Sequence, residues 1–77
     1  MKVRFDTIGF HEALDARRRA RRITWKRVAK ESGVSASTLS RMAHGQQRPD
    51  VDGLAALLTW SDLRAEDFIR KSAIRRR

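Results

Sequence analysis

The most constraining feature of this 77-residue chain is a joint near its middle. From Thr24 to Gly45 it reads TWKRVAKESGVSASTLSRMAHG, with Ala29 four positions before Gly33, Val34 in the turn and Leu39 six positions after the glycine. Two helices that meet at a sharp angle through a short turn need a small side chain where their axes approach. They also need a glycine where the backbone reverses and apolar residues that tie the second helix to a core. Thr24 is a capping residue for the first of these helices, with Trp25, Val28, Ala29 and Ser32 on one stripe and Lys26, Arg27, Lys30 and Glu31 facing away. Ser35 caps the second, whose inward stripe is Leu39, Met42 and Ala43. The pattern predicts helix two over about 25–32 and helix three over about 36–44.

Helical spacing extends on both sides of the joint. Asp6 caps a first helix in which Phe10, Ala13, Leu14 and Ala20 recur to about Arg22. Asp50 caps a fourth from Val51 to about Trp60, with Val51, Leu54, Leu57 and Leu58 inward. A last turn or two around Ala65 to Arg70 puts Glu66 and Asp67 at its positive end and buries Phe68 and Ile69. Lys2 to Phe5 alternates over too few residues to count as a strand. Residues 1–5 therefore read as an N-terminal arm, 6–70 as one domain and 71–77 as a basic C-terminal tail. The expected fold class is all-α, a compact bundle of four to five helices.

Composition narrows the function. A chain this short buries roughly 60% of its unfolded surface, too little for a deep catalytic pocket. No cysteine is present, which fits a reducing compartment and removes thiolate metal sites. No apolar run approaches the roughly 18 residues of a membrane span, and the basic start is not followed by a signal-peptide core, so a cytoplasmic, nucleoid-associated protein is expected. The net charge is +9, and 14 of the 18 basic residues are arginine, whose planar fork suits phosphates and base edges. Residues 1–30 hold ten basic and three acidic groups, residues 31–60 two and three, residues 61–77 six and three. Basic ends around a near-neutral middle suggest attraction to nucleic acid from the ends and discrimination from the middle.

Helix three supports that division. With Leu39 inward, Ser37, Ser40, Arg41 and His44 share the opposite side. Arg41 is the only one of them able to make a bidentate contact to guanine N7 and O6, the alternative being a phosphate contact or a solvated face. Ser37, Ser40 and the flanking Thr38 bond bases or phosphates equally well. The start of helix two, with Thr24, Trp25 and Lys26, offers free amides and the positive end of a helix dipole to an anion. Trp25 has two readings: an indole donor to a phosphate, or an amphipathic lid over the core.

Taken together, Leu14 to Arg18, Ile23-Thr24-Trp25, Val28-Ala29, Gly33-Val34-Ser35, Ser37-Thr38-Leu39-Ser40-Arg41, Arg48-Pro49-Asp50 and Asp67-Phe68 resemble the phage-repressor and Xre class of helix-turn-helix regulators. The likeness is greatest to the small actinobacterial type with a Trp at the start of helix two. It covers about Leu14 to Ile69 and implies a lambda-repressor-like domain whose third helix enters the DNA major groove. It also implies backbone contacts at Trp25, His44, Gln46 and Arg48. Two positions depart from the family pattern. Ala36 stands where many relatives carry Gln, leaving an apolar contact with a thymine methyl and thin direct readout, so DNA shape carries part of the specificity. Ala43 stands where an acidic residue often pairs with the arginine at position 18, which releases Arg18 toward the DNA backbone. Arg22 is expected to face DNA as well. The competing readings of the cluster Arg17 to Arg22 are charge balance at the end of helix one and a membrane-surface helix, and the latter lacks a clean apolar face.

The function expected is a sequence-specific double-stranded DNA-binding regulator, a repressor acting by occlusion. The alternatives are an antitoxin or protein-interaction module on the same fold, or a non-specific or RNA-binding basic domain. Catalysis is not expected, because His11 and Glu12 are adjacent, the acidic residues are scattered and no glycine-rich phosphate loop precedes a helix. No cofactor, metal or small-molecule site is expected. Nothing after Ile69 is long enough for a separate dimerisation domain, so any homodimer is weak or DNA-dependent and uses the surface around Trp60, Leu63, Phe68 and Ile69.

Overall fold

A computed structural model describes residues 2–72. Its elements are β1 (Lys2–Phe5), α1 (Thr7–Arg21), α2 (Trp25–Ser32), α3 (Ala36–Ala43), α4 (Val51–Ser61), a 3-10 turn (Ala65–Phe68) and β2 (Ile69–Ser72). The four helices begin where short polar side chains replace the missing intrahelical partners. Asp6, Thr24, Ser35 and Asp50 accept from the backbone N–H groups of Gly9, Arg27, Thr38 and Gly53 respectively. Helix α2 stops at Gly33, whose φ of 81° is the left-handed conformation that turns the chain toward α3.

The core is one cluster of Phe10, Leu14, Val28, Val34, Leu39, Met42, Leu57 and Phe68. Every element contributes to it except the two strands, so α1 packs on α3 and α2 bridges α3 and α4. Phe5 joins from β1 through an edge contact with Phe10 at 5.3 Å, and Phe10 meets Phe68 at 5.2 Å. These rings weld the two ends of the chain to α1, since aromatic pairs add about 0.5–1.5 kcal/mol beyond the area they bury.

Several expectations are corrected. Lys2 to Phe5 is a strand after all, pairing antiparallel with β2 in the register Lys2↔Ser72, Val3↔Lys71, Arg4↔Arg70 and Phe5↔Ile69. Four residues have no strand preference strong enough to register locally; the partner across the ladder supplies it. The same pairing places Lys71 and Ser72 in β2, and the rest of the expected tail lies outside the described residues. The fifth helix is only a 3-10 turn, so the bundle has four α-helices. Ile69 is 40% exposed and Val51 83% exposed, where both were expected inside. Val51 is the first residue of α4, at the very end of the helix, whereas Leu57, within the helix, is fully buried.

Candidate nucleic-acid interface

Helix α3 presents Ala36, Ser37, Ser40 and Arg41 to solvent while Leu39 and Met42 are buried beneath them. The separation follows from spacing: Leu39 and Met42 lie three apart and share a face, and the four exposed positions occupy the rest of the circumference. Ser35 fixes the start of the helix, because its hydroxyl both accepts from the Thr38 N–H at 3.1 Å and donates to the Thr38 hydroxyl at 2.9 Å. Thr38 is half-buried; its N–H and one lone pair of its hydroxyl are taken by the cap, and its own O–H remains available as a donor.

The Arg41 side chain is exposed but not loose. One Nη1 donor reaches Gln47 Oε1 at 3.1 Å, and the Arg41 carbonyl accepts from the Gln46 N–H at 3.0 Å. A guanidinium has five donors in a fixed plane, so a single bond to a neutral amide orients it and leaves the rest for an incoming acceptor. Gln47 escaped the sequence reading because it lies six residues on and meets Arg41 only when the loop folds back.

A second missed residue is His11. Its ring stacks on Trp25 at 4.6 Å and 21°, and both line a cleft of about 320 Å³ with Ala36, Leu39, Ser40, Ala43 and His44. Burial pushes the imidazole below its ordinary value; Asp15 and the Leu39 carbonyl oppose that shift, and His44 adds to it. One signal in the sequence does locate His11: with Asp15, Arg18 and Arg22 it makes a polar stripe on α1 at spacings of four, three and four. Trp25 combines its two readings. It is half-buried against the core, as a lid would be, yet it borders the α3 face.

The basic end of α1 behaves differently. Arg18 is not released. Its guanidinium bonds Asp15 at 2.8 Å, donates to the Ile23 carbonyl at 2.9 Å and lies 5.4 Å from the Trp25 ring centre. Asp15 replaces the missing acidic partner on α3 from within α1, and the Arg18 bond holds its carboxyl below the usual carboxylate range. Arg19 shares the same carboxylate at 3.3 Å, while Arg21 lies 4.5 Å above the Trp60 ring. Arg22 is exposed, in the left-handed conformation at φ 58°, two residues before the Thr24 cap. Thr24 and Lys26 are exposed beside it, as are His44, Gln46 and Arg48 beyond α3. Of the residues expected at the anion-binding margins, these are exposed, whereas Arg18 is engaged within the protein.

The proposed dimer surface does not assemble as expected. Phe68 is buried among the aromatic rings, and Trp60 is half-buried, donating its indole N–H to Glu31 Oε1 at 2.8 Å. That bond, with help from Arg27, keeps the Glu31 carboxyl below its ordinary range. Leu63 is half-buried too, which leaves Ile69 as the one exposed member of the four. No helix among the described residues is long and apolar enough to cross a membrane, and no group of three or more metal-ligating side chains occurs among them.

Compared with protein-family models, residues 14–59 match one described as Helix-turn-helix. That segment runs from the middle of α1 to the last turn of α4 and contains α2, α3 and the Gly33 joint whole. No curated protein and no solved structure gives a match.

Proposed function

The chain belongs to the Xre and lambda-repressor-like helix-turn-helix family of DNA-binding regulators, and on that premise we propose that it is a sequence-specific repressor that docks α3 in the major groove. The observation that carries this reading is the α3 face itself: small side chains at Ala36, Ser37 and Ser40 surround a single oriented arginine, Arg41. A groove about 12 Å wide admits such a helix closely because little projects from it. Arg41 reads a guanine through N7 and O6, Ala36 meets a thymine methyl, and Ser37 and Ser40 fill polar positions without strong choice. The exposed amide end of α2 at Thr24, Trp25 and Lys26 takes one phosphate, and His44, Gln46, Arg48 and Arg22 hold the backbone around it. Repression follows by occlusion. Two copies on a two-fold operator associate through DNA with half-sites about one helical turn apart.

The test is selection of bound duplexes from a random library, with the mass of the complex measured alongside. A short consensus with fewer than four invariant contacted base pairs per half-site is expected, preferred over random DNA by roughly 10³ or more. Arg41→Ala is expected to lose about 1–3 kcal/mol on that operator and to relax one position. Equal weakening on all sequences would make Arg41 a phosphate contact, and no preference in the parent protein would reduce the chain to a generic basic domain.

A further inference from the structure

The two-stranded sheet lies wholly outside the matched segment, and its charge is unusual. Antiparallel pairing sets Arg4 directly opposite Arg70 and Val3 opposite Lys71, with Lys2 at the end of β1. Like charges facing each other across a ladder oppose pairing. Arg70 is compensated: its guanidinium bonds Asp6 Oδ2 at 3.0 Å and the Asp67 carbonyl at 2.8 Å. Arg4 has no ion pair among the described residues. An exposed arginine kept in a repulsive register, with its one nearby carboxylate already engaged, is a charge that the fold does not use.

Its position gives that charge a direction. Arg4 lines a shallow cleft of about 140 Å³ with Phe5, Asp6, Thr7, Ile8, Gly45 and Arg48. The cleft exists because the start of α1 and the end of α3 approach closely. Gly45 has φ 71°, and a Cβ there would lie 3.1 Å from the Ile8 side chain, so only glycine lets the chain turn past α1 and carry Arg48 to the ribbon. Asp6 stays ionised, since the Gly9 amide and Arg70 hold its carboxyl below the ordinary range, and its charge in the cleft is offset by the Arg70 guanidinium at 3.0 Å. On the floor Thr7 is buried, and its Oγ1 has no hydrogen-bond partner among the described residues. Two arginines from elements 44 positions apart thus share a concave edge next to the end of α3, over an unused hydroxyl.

We propose that Arg4 and Arg48 form a joint backbone-phosphate site at the α1–α3 edge, through which the N-terminal strand extends the DNA footprint beyond the helix-turn-helix. The inference rests on the DNA-binding reading and adds a contact outside the matched residues. Because phosphate contacts carry no sequence information, the site contributes to operator and random DNA alike.

The experiment measures affinity against salt for the full chain, on the selected operator and on a random duplex, for the parent, Arg4→Gln, Arg48→Gln and the double variant. The double variant is expected to reduce the log-log slope by about 0.9 on both duplexes, so that its affinity deficit shrinks about threefold between roughly 50 and 200 mM salt, and Arg4→Gln alone to show part of that reduction. Arg4→Lys is expected to keep the slope. If the two arginines grip one phosphate, the double variant loses less than the two single losses added. Ethylation interference with the parent protein needs no substitution and is expected to mark one phosphate whose modification abolishes the difference between parent and Arg4→Gln. An unchanged slope in Arg4→Gln, strict additivity with Arg48→Gln, or a loss confined to the operator each overturns the proposal. A parent protein that fails to prefer its operator would instead overturn the sequence-specific reading, while the random-duplex arm still decides the Arg4 site.

Discussion

Two arginine-bearing helices in this molecule use charge in opposite ways. The last turns of α1 hold five arginines between residues 17 and 22, and α3 holds one. At the end of α1 three of the five are engaged within the protein: Arg18 and Arg19 share Asp15, and Arg21 covers Trp60. In α3, Arg41 has only a neutral amide as partner. Charge density along the sequence therefore does not point to the reading surface we propose. What singles that surface out is a cation left with open donors beside small side chains.

The largest test of that contrast is Arg18→Ala. Removing the guanidinium strands the Ile23 carbonyl and leaves Asp15 with Arg19 alone, at 3.3 Å, so thermal or denaturant unfolding is expected to show a loss of about 1–3 kcal/mol. The salt slope of DNA binding should stay unchanged for the folded protein. A normal stability with a reduced slope would return Arg18 to the interface and dissolve the distinction between the two helices.

Arg22 sharpens the same point with two effects of opposite sign. It closes α1 at φ 58°, a conformation that glycine adopts without the Cβ penalty. Arg22→Gly is expected to raise stability by up to about 1 kcal/mol while lowering the salt slope by about 0.9. Higher stability with an unaltered slope would show that Arg22 also belongs to the absorbed charge.

The smallest expected effect is on pH. The His11 pKa is lowered from 6.5 by burial against Trp25 and α3, so the folded state favours the neutral ring. Its contribution to stability is fully present above that value and is lost as pH falls through 6.5 toward the lower folded value. The carboxyls of Asp6, Asp15 and Glu31 are depressed below 3.8, 3.8 and 4.5, so their contributions are lost only at more acidic pH. Unfolding measured from pH 6.5 down to 4.5 is expected to lose stability in the parent and to flatten in His11→Gln. An unchanged profile would remove His11 from the α1–α3 contact that borders the reading face.

Local patterning made much of this legible. The four helix caps fall at Asp6, Thr24, Ser35 and Asp50, as their side-chain chemistry requires, and the Ala29, Gly33 and Leu39 spacing places the joint and the inward side of α3. The exposed set Ser37, Ser40, Arg41 and His44 follows from the same helical period. Contacts that close over long separations were not legible. Arg18 finds its carboxylate three residues away, but its carbonyl and its aromatic neighbour depend on how α1 meets α2. Trp60 has its indole N–H engaged by Glu31, 29 residues earlier.

The sequence by itself determined the helices, the joint and the side of α3 that faces outward, because each rests on groups within one or two turns of chain. Only the tertiary structure decided which charges remain free. A cation's availability depends on whatever carboxylate, carbonyl or ring lands beside it, and those neighbours arrive from other elements: β2 pairs with β1 across the length of the domain, and Gly45 carries Arg48 to Arg4. Among the described residues the positive charge is thus divided into charge engaged within the protein and charge left exposed.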